Sequence, residues 1–161
     1  MPSRKNVQNT HMSDQLRTLH RSVLDIVSVI NQPHRDEIMI REAGIKLDRA
    51  LFPLLVGIEE FGPIGVVDLA DRAGRDYTTV SRQVAKLESL GLVERRESSA
   101  DRRVREAVVT ARGRAMTGRI DAARERFAHA AFSDWKEEEI GELVRLMRKF
   151  ADAVMKEPRA G

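Results

Sequence analysis

The segment from Val66 to Thr110 constrains the fold of this chain more than any other part of it. A short helical pattern ends at Gly74, and a longer helical pattern with an open polar face follows it. A basic hairpin then turns at Ser98-Ser99-Ala100-Asp101. Two helices joined by a tight turn and followed by a basic ribbon predict a winged helix-turn-helix, in which the second helix fits a DNA major groove.

The second helix of this segment has one apolar and one polar face. Its apolar residues recur every three or four positions, as in a helix packed on a core: Val80, Val84, Leu87 and Leu90. The polar face carries Thr78, Thr79, Arg82, Gln83 and Lys86. Recognition helices read bases with such side chains, because arginine pairs with guanine and glutamine with adenine. An ordinary amphipathic surface helix shows the same pattern. The flanking elements therefore decide whether this helix is a recognition helix or an ordinary surface helix.

Other residues of the segment are candidates for positioning and for backbone contacts. Asp76 is expected to cap the second helix, and Tyr77 is a candidate for contact with a phosphate or a thymine methyl group. Arg102 and Arg103 lie at the tip of the hairpin, where they are expected to enter the minor groove. Asp101 either holds one of these arginines or is a simple turn residue.

Further helices are predicted on both sides of this segment. The expected first helix begins at Ser13, carries apolar residues from Leu16 to Ile30 and ends before Pro33. A short helix is expected at 34–43. The next spans 47–58 and contains Pro53, which predicts a kink or a late start.

Two amphipathic helices are predicted at the C-terminal end. Thr110 is expected to cap the first, and Ser133 or Asp134 the second. Their apolar stripes are Met116, Ile120, Ala123, Phe127 and Ala131, then Ile140, Leu143, Met147, Phe150 and Val154. One DNA-binding unit does not need so many apolar faces, so we expect a second copy of the chain to cover them.

Composition restricts the class of protein. The formal net charge is +3, but residues 102–126 carry a net +5 and residues 134–142 a net −4, a separation that suggests a directed contact with a polyanion. The chain has no cysteine, which excludes disulfides and thiolate metal sites. No signal peptide or membrane-spanning segment is recognised, so we expect a soluble, cytoplasmic protein.

No enzyme motif is recognised in the sequence. There is no Gly-rich phosphate loop, no HExxH pattern and no Ser-His-Asp arrangement, and the four histidines are scattered at His11, His20, His34 and His129. We therefore expect no catalytic activity, no cofactor and no metal. A metal site built from histidine and carboxylate side chains is the less favoured alternative.

Three stretches also resemble the MarR family of bacterial transcription regulators. They are FGPIGVVDLADRAG, TTVSRQVAKLESLGLVERR and DRRVREAVVTARG, and they resemble the family's first DNA-binding helix, its recognition helix and its wing. The resemblance runs from about Leu47 to Met116 and more weakly to the C-terminus. Arg105 and Glu106 depart from the family's usual apolar return strand.

The resemblance implies a homodimer that binds a pseudo-palindromic operator in double-stranded DNA. It implies base contacts by Thr78, Thr79, Arg82 and Gln83, and a minor-groove contact by Arg102 or Arg103. It also implies a small effector, often phenolic or a carboxylate, that weakens DNA binding. Arg49, Phe52 and Arg112 are the candidate residues for its pocket.

The sequence therefore predicts a mainly α fold with a small β wing, in which a winged helix-turn-helix is flanked by N- and C-terminal dimerisation helices. The expected regions are a flexible N-terminal tail (1–12), an N-terminal helical dimerisation region (13–46), the winged helix-turn-helix DNA-binding region (47–110), C-terminal dimerisation helices (111–157) and a tail (158–161). The predicted function is a ligand-responsive repressor. The alternative is a winged-helix module for protein–protein contacts, but such a module should expose acidic or apolar residues on its second helix.

Overall fold

The fold comes from a computed structural model that describes residues 4–156, with side chains from residue 11 onward. Seven helices and three strands lie in this range. They are α1 (Arg4–Ile30), α2 (Pro33–Glu42), α3 (Phe52–Phe61), β1 (Ile64–Gly65), α4 (Val66–Ala73), α5 (Tyr77–Ser89), β2 (Val93–Glu97), β3 (Arg105–Val109), α6 (Ala111–Ala131) and α7 (Glu137–Met155). The chain divides into two compact units inside α6, between Asp121 and Ala122. The predicted class, mainly α with a small β wing, is confirmed.

The core of the first unit is formed by α3, α4, α5 and the sheet. Its buried residues are Leu51, Leu54, Leu55, Ile58, Ile64, Leu69, Ala70, Val80, Val84, Leu87, Leu92, Val93 and Ala107. Burying one side chain of leucine size contributes about 1.5–3 kcal/mol. Because α5 supplies three of these side chains from one face, its opposite face is held toward solvent.

The α4–α5 pair has the geometry that the sequence predicted. Helix α4 ends at Ala73, and Gly74 follows with φ of 62°, in the left-handed region where glycine meets no steric penalty. The backbone N–H of Arg75 then donates to the carbonyl of Ala70 at 3.1 Å, which closes the turn. The next helix begins two residues later, at Tyr77.

The sheet is antiparallel, with the strand order β1-β3-β2. Strands β2 and β3 form the predicted wing, in register from Val93 opposite Val109 to Glu97 opposite Arg105. Strand β1 pairs with β3 at Ala107 and Glu106 and was not predicted. It escaped the sequence analysis because two residues are too short to show the alternation that identifies a strand.

Helix α6 begins with the predicted cap. The Thr110 hydroxyl donates to the carbonyl of Gly91 at 2.6 Å and accepts the backbone N–H of Gly113 at 3.0 Å. A Cβ atom at Gly113 would lie 2.0 Å from the carbonyl oxygen of Leu92. The first turn of α6 therefore approaches the chain just before β2 so closely that only glycine fits there.

The predicted starts of α1 and α7 were wrong, and the structure decides between the kink and the late start that were predicted for α3. Helix α1 begins at Arg4, so Ser13 lies inside it and is not its N-cap. The residues before Ser13 include arginine, lysine and glutamine, which favour helix, and no glycine or proline follows Arg4 to break it before Pro33. Helix α3 starts late, at Phe52, with Pro53 in its first turn, where a proline removes no helical hydrogen bond.

The start of α7 also differs from the prediction. Neither Ser133 nor Asp134 caps it, because the helix begins at Glu137. The Phe132 and Trp135 rings pack edge to face with centroids 5.1 Å apart, and the backbone N–H of Trp135 donates to the carbonyl of Phe132. This turn delays the helix, and the Glu139 carboxylate then reaches back to accept the backbone N–H of Lys136 at 2.9 Å.

Apolar side chains stay exposed on the outer helices of this single chain. On α1 the large ones are 40–61% exposed: Met12, Leu16, Leu19, Leu24, Ile26, Val27, Val29 and Ile30. On α7, in the second unit, they are Val144, Leu146, Met147, Val154 and Met155. So many exposed apolar side chains on single helices favour a contact with another surface. No helix within residues 4–156 is both long and apolar enough to cross a membrane.

Candidate nucleic-acid interface

The first turn of α5 is fixed by Asp76, which caps the helix as predicted. One carboxylate oxygen accepts the Thr79 hydroxyl at 2.7 Å, and the other accepts the backbone N–H of Thr79 at 2.8 Å. These two bonds favour the ionised carboxylate and hold the pKa of Asp76 below its ordinary value. The hydroxyl of Thr79, which was a predicted base contact, therefore donates its hydrogen to the capping carboxylate of Asp76.

The solvent face of α5 is polar and cationic. Thr78, Arg82 and Lys86 are exposed and follow one another at intervals of four residues, so they lie along one side of the helix. Tyr77, at the start of the helix, is 56% exposed. Ser81, which the sequence analysis did not select, lies on the same side and is half-buried. This face offers hydroxyl groups in its first turns and cations after them.

Gln83 lies on the flank of α5 and not on the fully exposed face. Its side-chain oxygen accepts a hydrogen bond from Nη1 of Arg75 at 3.0 Å, and the residue is half-buried. A cleft of about 390 Å³ opens on this flank. Its lining residues are Asp48, Ala50, Leu51, Thr79, Arg82, Gln83 and Lys86. Three of the four predicted base contacts, Thr79, Arg82 and Gln83, thus border the cleft. Of these three, Arg82 is the one that is also exposed.

The tip of the wing presents the predicted pair of arginines. The tight turn spans Asp101 to Val104, not the predicted Ser98–Asp101, and the backbone N–H of Val104 donates to the Asp101 carbonyl at 3.0 Å. The shift has a local cause: the buried Ser98 hydroxyl accepts the backbone N–H of Ala100 at 3.2 Å, which extends the loop before the turn. The two central residues of the turn are Arg102 and Arg103, and both are exposed.

Asp101 performs both roles that the sequence left open. Its carboxylate accepts the backbone N–H of Arg103 at 3.0 Å, as a turn residue does. The same oxygen lies 3.9 Å from Nε of Arg103, a loose ion pair. Because the side chain of Arg103 is 94% exposed, this pair leaves its guanidinium accessible to a phosphate or a groove.

Arg95 joins the wing to α5 and was missed by the sequence analysis. From β2, its Nη2 donates to the carbonyl of Ser81 at 3.3 Å, and its Nε lies 3.4 Å from a Glu88 carboxylate oxygen. Its side chain is only 23% exposed, so this pair is better shielded than the other ion pairs of the wing. Arg95 therefore sets the position of the wing relative to the helix that it accompanies.

The sequence of this chain and its fold are both similar to those of known proteins. The sequence profile of the MarR family matches residues 47–104. A Bacillus subtilis (strain 168) protein, the uncharacterized HTH-type transcriptional regulator YxaD, is 32% identical over 106 residues, which are 64% of this chain and 74% of that protein. This chain belongs to the MarR family. Its members are transcription factors without enzymatic activity that bind DNA and act as dimers.

Solved structures of the family share the fold of this MarR-family chain. The crystal structure of MarR is 28% identical, with a TM-score of 0.61, and the match covers 83% of this chain and 98% of MarR. A MarR family protein from Bacillus stearothermophilus is 19% identical, with a TM-score of 0.67, covering 91% of this chain and 98% of that protein. The coarse prediction, a MarR-family transcriptional regulator, is confirmed.

The three candidate effector residues have three different settings in this MarR-family fold. Arg49 forms an ion pair with Glu37 of α2 at 2.9 Å, and Phe52 is buried at the start of α3. The exposed Arg112, on α6, has its Cδ near Gly91, where a Cβ atom would be 3.9 Å away. Their joint role in an effector pocket stays a prediction.

One further carboxylate of the first unit has an altered pKa. Burial raises the pKa of Asp36, on α2, above its ordinary value, because a desolvated carboxylate disfavours its charged form. This effect outweighs the attraction of three nearby arginines. They are Arg75, Arg49 and Arg35. The group therefore favours the neutral state more than an exposed aspartate does.

Proposed function

We propose that this MarR-family chain is a homodimeric repressor that binds a pseudo-palindromic operator in double-stranded DNA. The observation that carries the proposal is the exposed face of α5. Thr78, Arg82 and Lys86 are exposed there, and no carboxylate occurs on the helix before Glu88. A helix that binds another protein would present apolar or acidic side chains on that face, so the composition favours DNA.

Each exposed group has a separate role in the proposal. Arg82 reads a guanine with its forked guanidinium, while Thr78 contacts a base edge and Lys86 a phosphate. Tyr77, at the start of α5, contacts the backbone or a thymine methyl group. At the wing tip, Arg102 or Arg103 enters the minor groove, where the negative potential of the duplex is strongest.

Dimerisation follows from the apolar surfaces of the outer helices. The exposed leucines, isoleucines and valines of α1, and those of α7, need a covering surface, and a second copy supplies the same residues in a two-fold arrangement. In such a dimer two recognition helices reach successive major grooves when they lie roughly 34–36 Å apart. The operator therefore has two half-sites, related by the symmetry of the protein.

An effector of the phenolic or carboxylate class regulates the dimer in this proposal. It acts by changing the distance between the two recognition helices, because both cannot dock when that distance departs from the groove repeat. A coupling of about 1–3 kcal/mol is enough to change operator occupancy many-fold. Arg49, Phe52 and Arg112 are the candidate contacts.

Selection from a random duplex library tests DNA binding directly. The purified chain is expected to enrich sites with two inverted halves centred about 10–10.5 base pairs apart. Light scattering of the same sample, with and without the enriched duplex, should give two chains per duplex. A monomer, or a library without enrichment at moderate ionic strength, would contradict the proposal.

A panel of phenols and aromatic carboxylates tests the regulatory part. A true effector should raise the melting temperature of the free protein and lower its affinity for the enriched duplex. X-ray scattering should then show different interdomain distances with and without it. Unchanged distances alongside reduced affinity would contradict the spacing mechanism, because the effector would then act by direct competition.

A further inference from the structure

A single arginine joins the turn before α5 to two other parts of the first unit. Nη1 of Arg75 donates to the carbonyl of Ala50 at 2.7 Å and to the side-chain oxygen of Gln83 at 3.0 Å. Both bonds are partly buried, so they are less exposed to competition from water than a surface contact. Arg75 therefore couples the segment before α3 to the flank of the recognition helix.

The Ala50 end of this link is itself fixed. The backbone N–H of Ala50 donates to the Asp48 carboxylate at 2.7 Å, and that of Leu51 donates to the Asp48 carbonyl at 3.0 Å. These bonds form a tight turn just before α3, and Leu51 is anchored in the core. The carbonyl that receives Arg75 therefore has little freedom to move.

The chemistry of the two side chains determines how Gln83 is presented. A guanidinium has only donors, so the atom of Gln83 that faces Arg75 must be the amide oxygen. The positive charge beside that oxygen disfavours the approach of another N–H group. The amide nitrogen, with two N–H donors, is left for an outside partner.

This orientation conflicts with the usual reading of adenine by glutamine. That pairing needs the amide oxygen to accept from N6 of adenine while the amide nitrogen donates to N7. Guanine offers N7 and O6, which are both acceptors and both suit an N–H₂ group. A glutamine whose oxygen is held therefore favours guanine.

We propose that Arg75 is a positioning residue that sets base specificity by holding the oxygen of Gln83, so that Gln83 reads guanine and not adenine. The proposal rests on the proposed function, since it requires a sequence-specific contact with DNA. Arg75 acts through Gln83 and need not touch the duplex. The base preference, more than the overall affinity, is the property that it controls.

The first test needs no change at Arg75. Sites selected by the wild-type chain are compared with those selected by Gln83→Ala, and the base pair whose preference disappears is the one that Gln83 reads. We expect guanine at that position in the wild-type sites. Adenine at that position would overturn the proposal, while binding by the wild-type chain would leave the proposed function intact.

The second test removes the link. Arg75→Met keeps most of the aliphatic stem but has no donor, and we expect the guanine-to-adenine affinity ratio at that base pair to fall about fivefold or more. The effect should vanish when Gln83→Ala is added. Arg72→Met is the matched control, because Arg72 packs over the Phe61 ring with its guanidinium carbon 3.8 Å from the centroid.

The outcomes separate the two proposals. If Arg75→Met is folded, as judged by its thermal melt, and retains the wild-type base ratio, the positioning role is wrong. If it does not fold, the comparison of the wild-type chain with Gln83→Ala decides whether Gln83 reads guanine, as the proposal requires, or adenine. If the wild-type chain selects no sequence at all, the proposed function fails, and this inference fails with it.

Discussion

The carboxylate of Asp76 accepts both polar hydrogens of Thr79 at the start of α5. The backbone N–H is held at 2.8 Å and the hydroxyl at 2.7 Å. Thr79 therefore stabilises the helix that presents the candidate base contacts, and its hydroxyl proton is committed within the protein. Of the two adjacent threonines, Thr78 is the one whose side chain is exposed.

Replacing Asp76 should lower the stability of the fold and make it less dependent on pH. The folded-state pKa lies below the ordinary value of 3.8, so the stabilisation is present above that value and is lost as the pH falls through the depressed pKa. Asp76→Ala should therefore lower Tm by roughly 2–4 °C at pH 7, and less at pH 3.

Asp76→Asn is the control for the cap. Its side-chain oxygen can still accept the backbone N–H of Thr79, but it carries no charge and does not titrate. Thermal melts should place it between the wild-type chain and Asp76→Ala at pH 7. An alanine variant that melts with the wild-type chain across this pH range would show that the cap contributes nothing.

The sequence predicted the elements whose signals are local. Three of the four apolar positions predicted for α5, Val80, Val84 and Leu87, form its buried face. The fourth, Leu90, was wrong, because it follows the last residue of the helix and is exposed. Gly74 and Asp76 predicted the turn before the helix. Thr110 predicted the start of α6 in the same way. Such features depend on residues within one or two turns of each other, so the order of residues is enough to identify them.

The features that the sequence missed depend on distant partners. Arg75 meets Gln83 and Ala50, 8 and 25 positions away, and Arg95 meets Ser81, 14 positions away. Arginines in a turn or on a strand resemble ordinary surface residues until the fold brings their partners near. The two-residue strand β1 was missed for the same reason, since Ile64 pairs with Ala107 of β3, 43 positions along the chain.

Arg82→Ala should weaken operator binding by about 1–3 kcal/mol and relax the preference at one base pair in each half-site. The reason is that its guanidinium is exposed on the solvent face of α5 and can reach a guanine with two parallel hydrogen bonds. The measurement is a set of Kd values for the selected duplex and its single-base variants.

Arg82→Lys distinguishes a base contact from a phosphate contact. Lysine keeps the charge but loses the forked donor geometry, so a base-reading role predicts that this variant also loses discrimination. Equal weakening on every duplex by Arg82→Ala, together with full rescue by lysine, would show that Arg82 binds a phosphate.

Arg103→Ala should weaken binding uniformly and reduce the slope of log K against log salt by about one unit. The side chain is 94% exposed at the tip of the wing, so it is available to displace one counterion from the duplex. Arg41→Ala, on α2, is a control that removes the same charge outside the wing and α5. Identical salt slopes for Arg103→Ala and the wild-type chain would exclude Arg103 from the contact, and identical slopes for Arg102→Ala as well would exclude the wing tip.

Asp36→Asn should stabilise the protein at neutral pH. Because burial raises the folded-state pKa above 3.8, the neutral form is favoured by folding, and that contribution is lost as the pH rises through the raised pKa. The asparagine variant should therefore melt above the wild-type chain at pH 7, and the two should converge below about pH 3.8.

Glu37→Gln is the matched control for Asp36→Asn, on the same helix. It removes a more exposed carboxylate that is paired with Arg49, and exposed pairs of this kind contribute only about 0–1 kcal/mol. It should leave Tm unchanged or slightly lower. A gain in Tm for both variants would indicate a general effect of net charge and would contradict the role of burial at Asp36.

Leu19→Glu should convert the dimer to a monomer and abolish tight operator binding. Leu19 is 40% exposed on the apolar side of α1. In a two-fold interface each copy would bury one of the new carboxylates in apolar surroundings, so the desolvation cost would be incurred twice.

Ser28→Glu is the control, because it introduces the same charge on the opposite side of α1. Nine residues at 100° each turn the helix by two and a half revolutions. Light scattering should give a monomer for Leu19→Glu and a dimer for Ser28→Glu, and anisotropy should show tight binding only for the latter. Dimers in both cases would move the interface away from this face of α1, and monomers in both would point to loss of the helix itself, which circular dichroism would reveal.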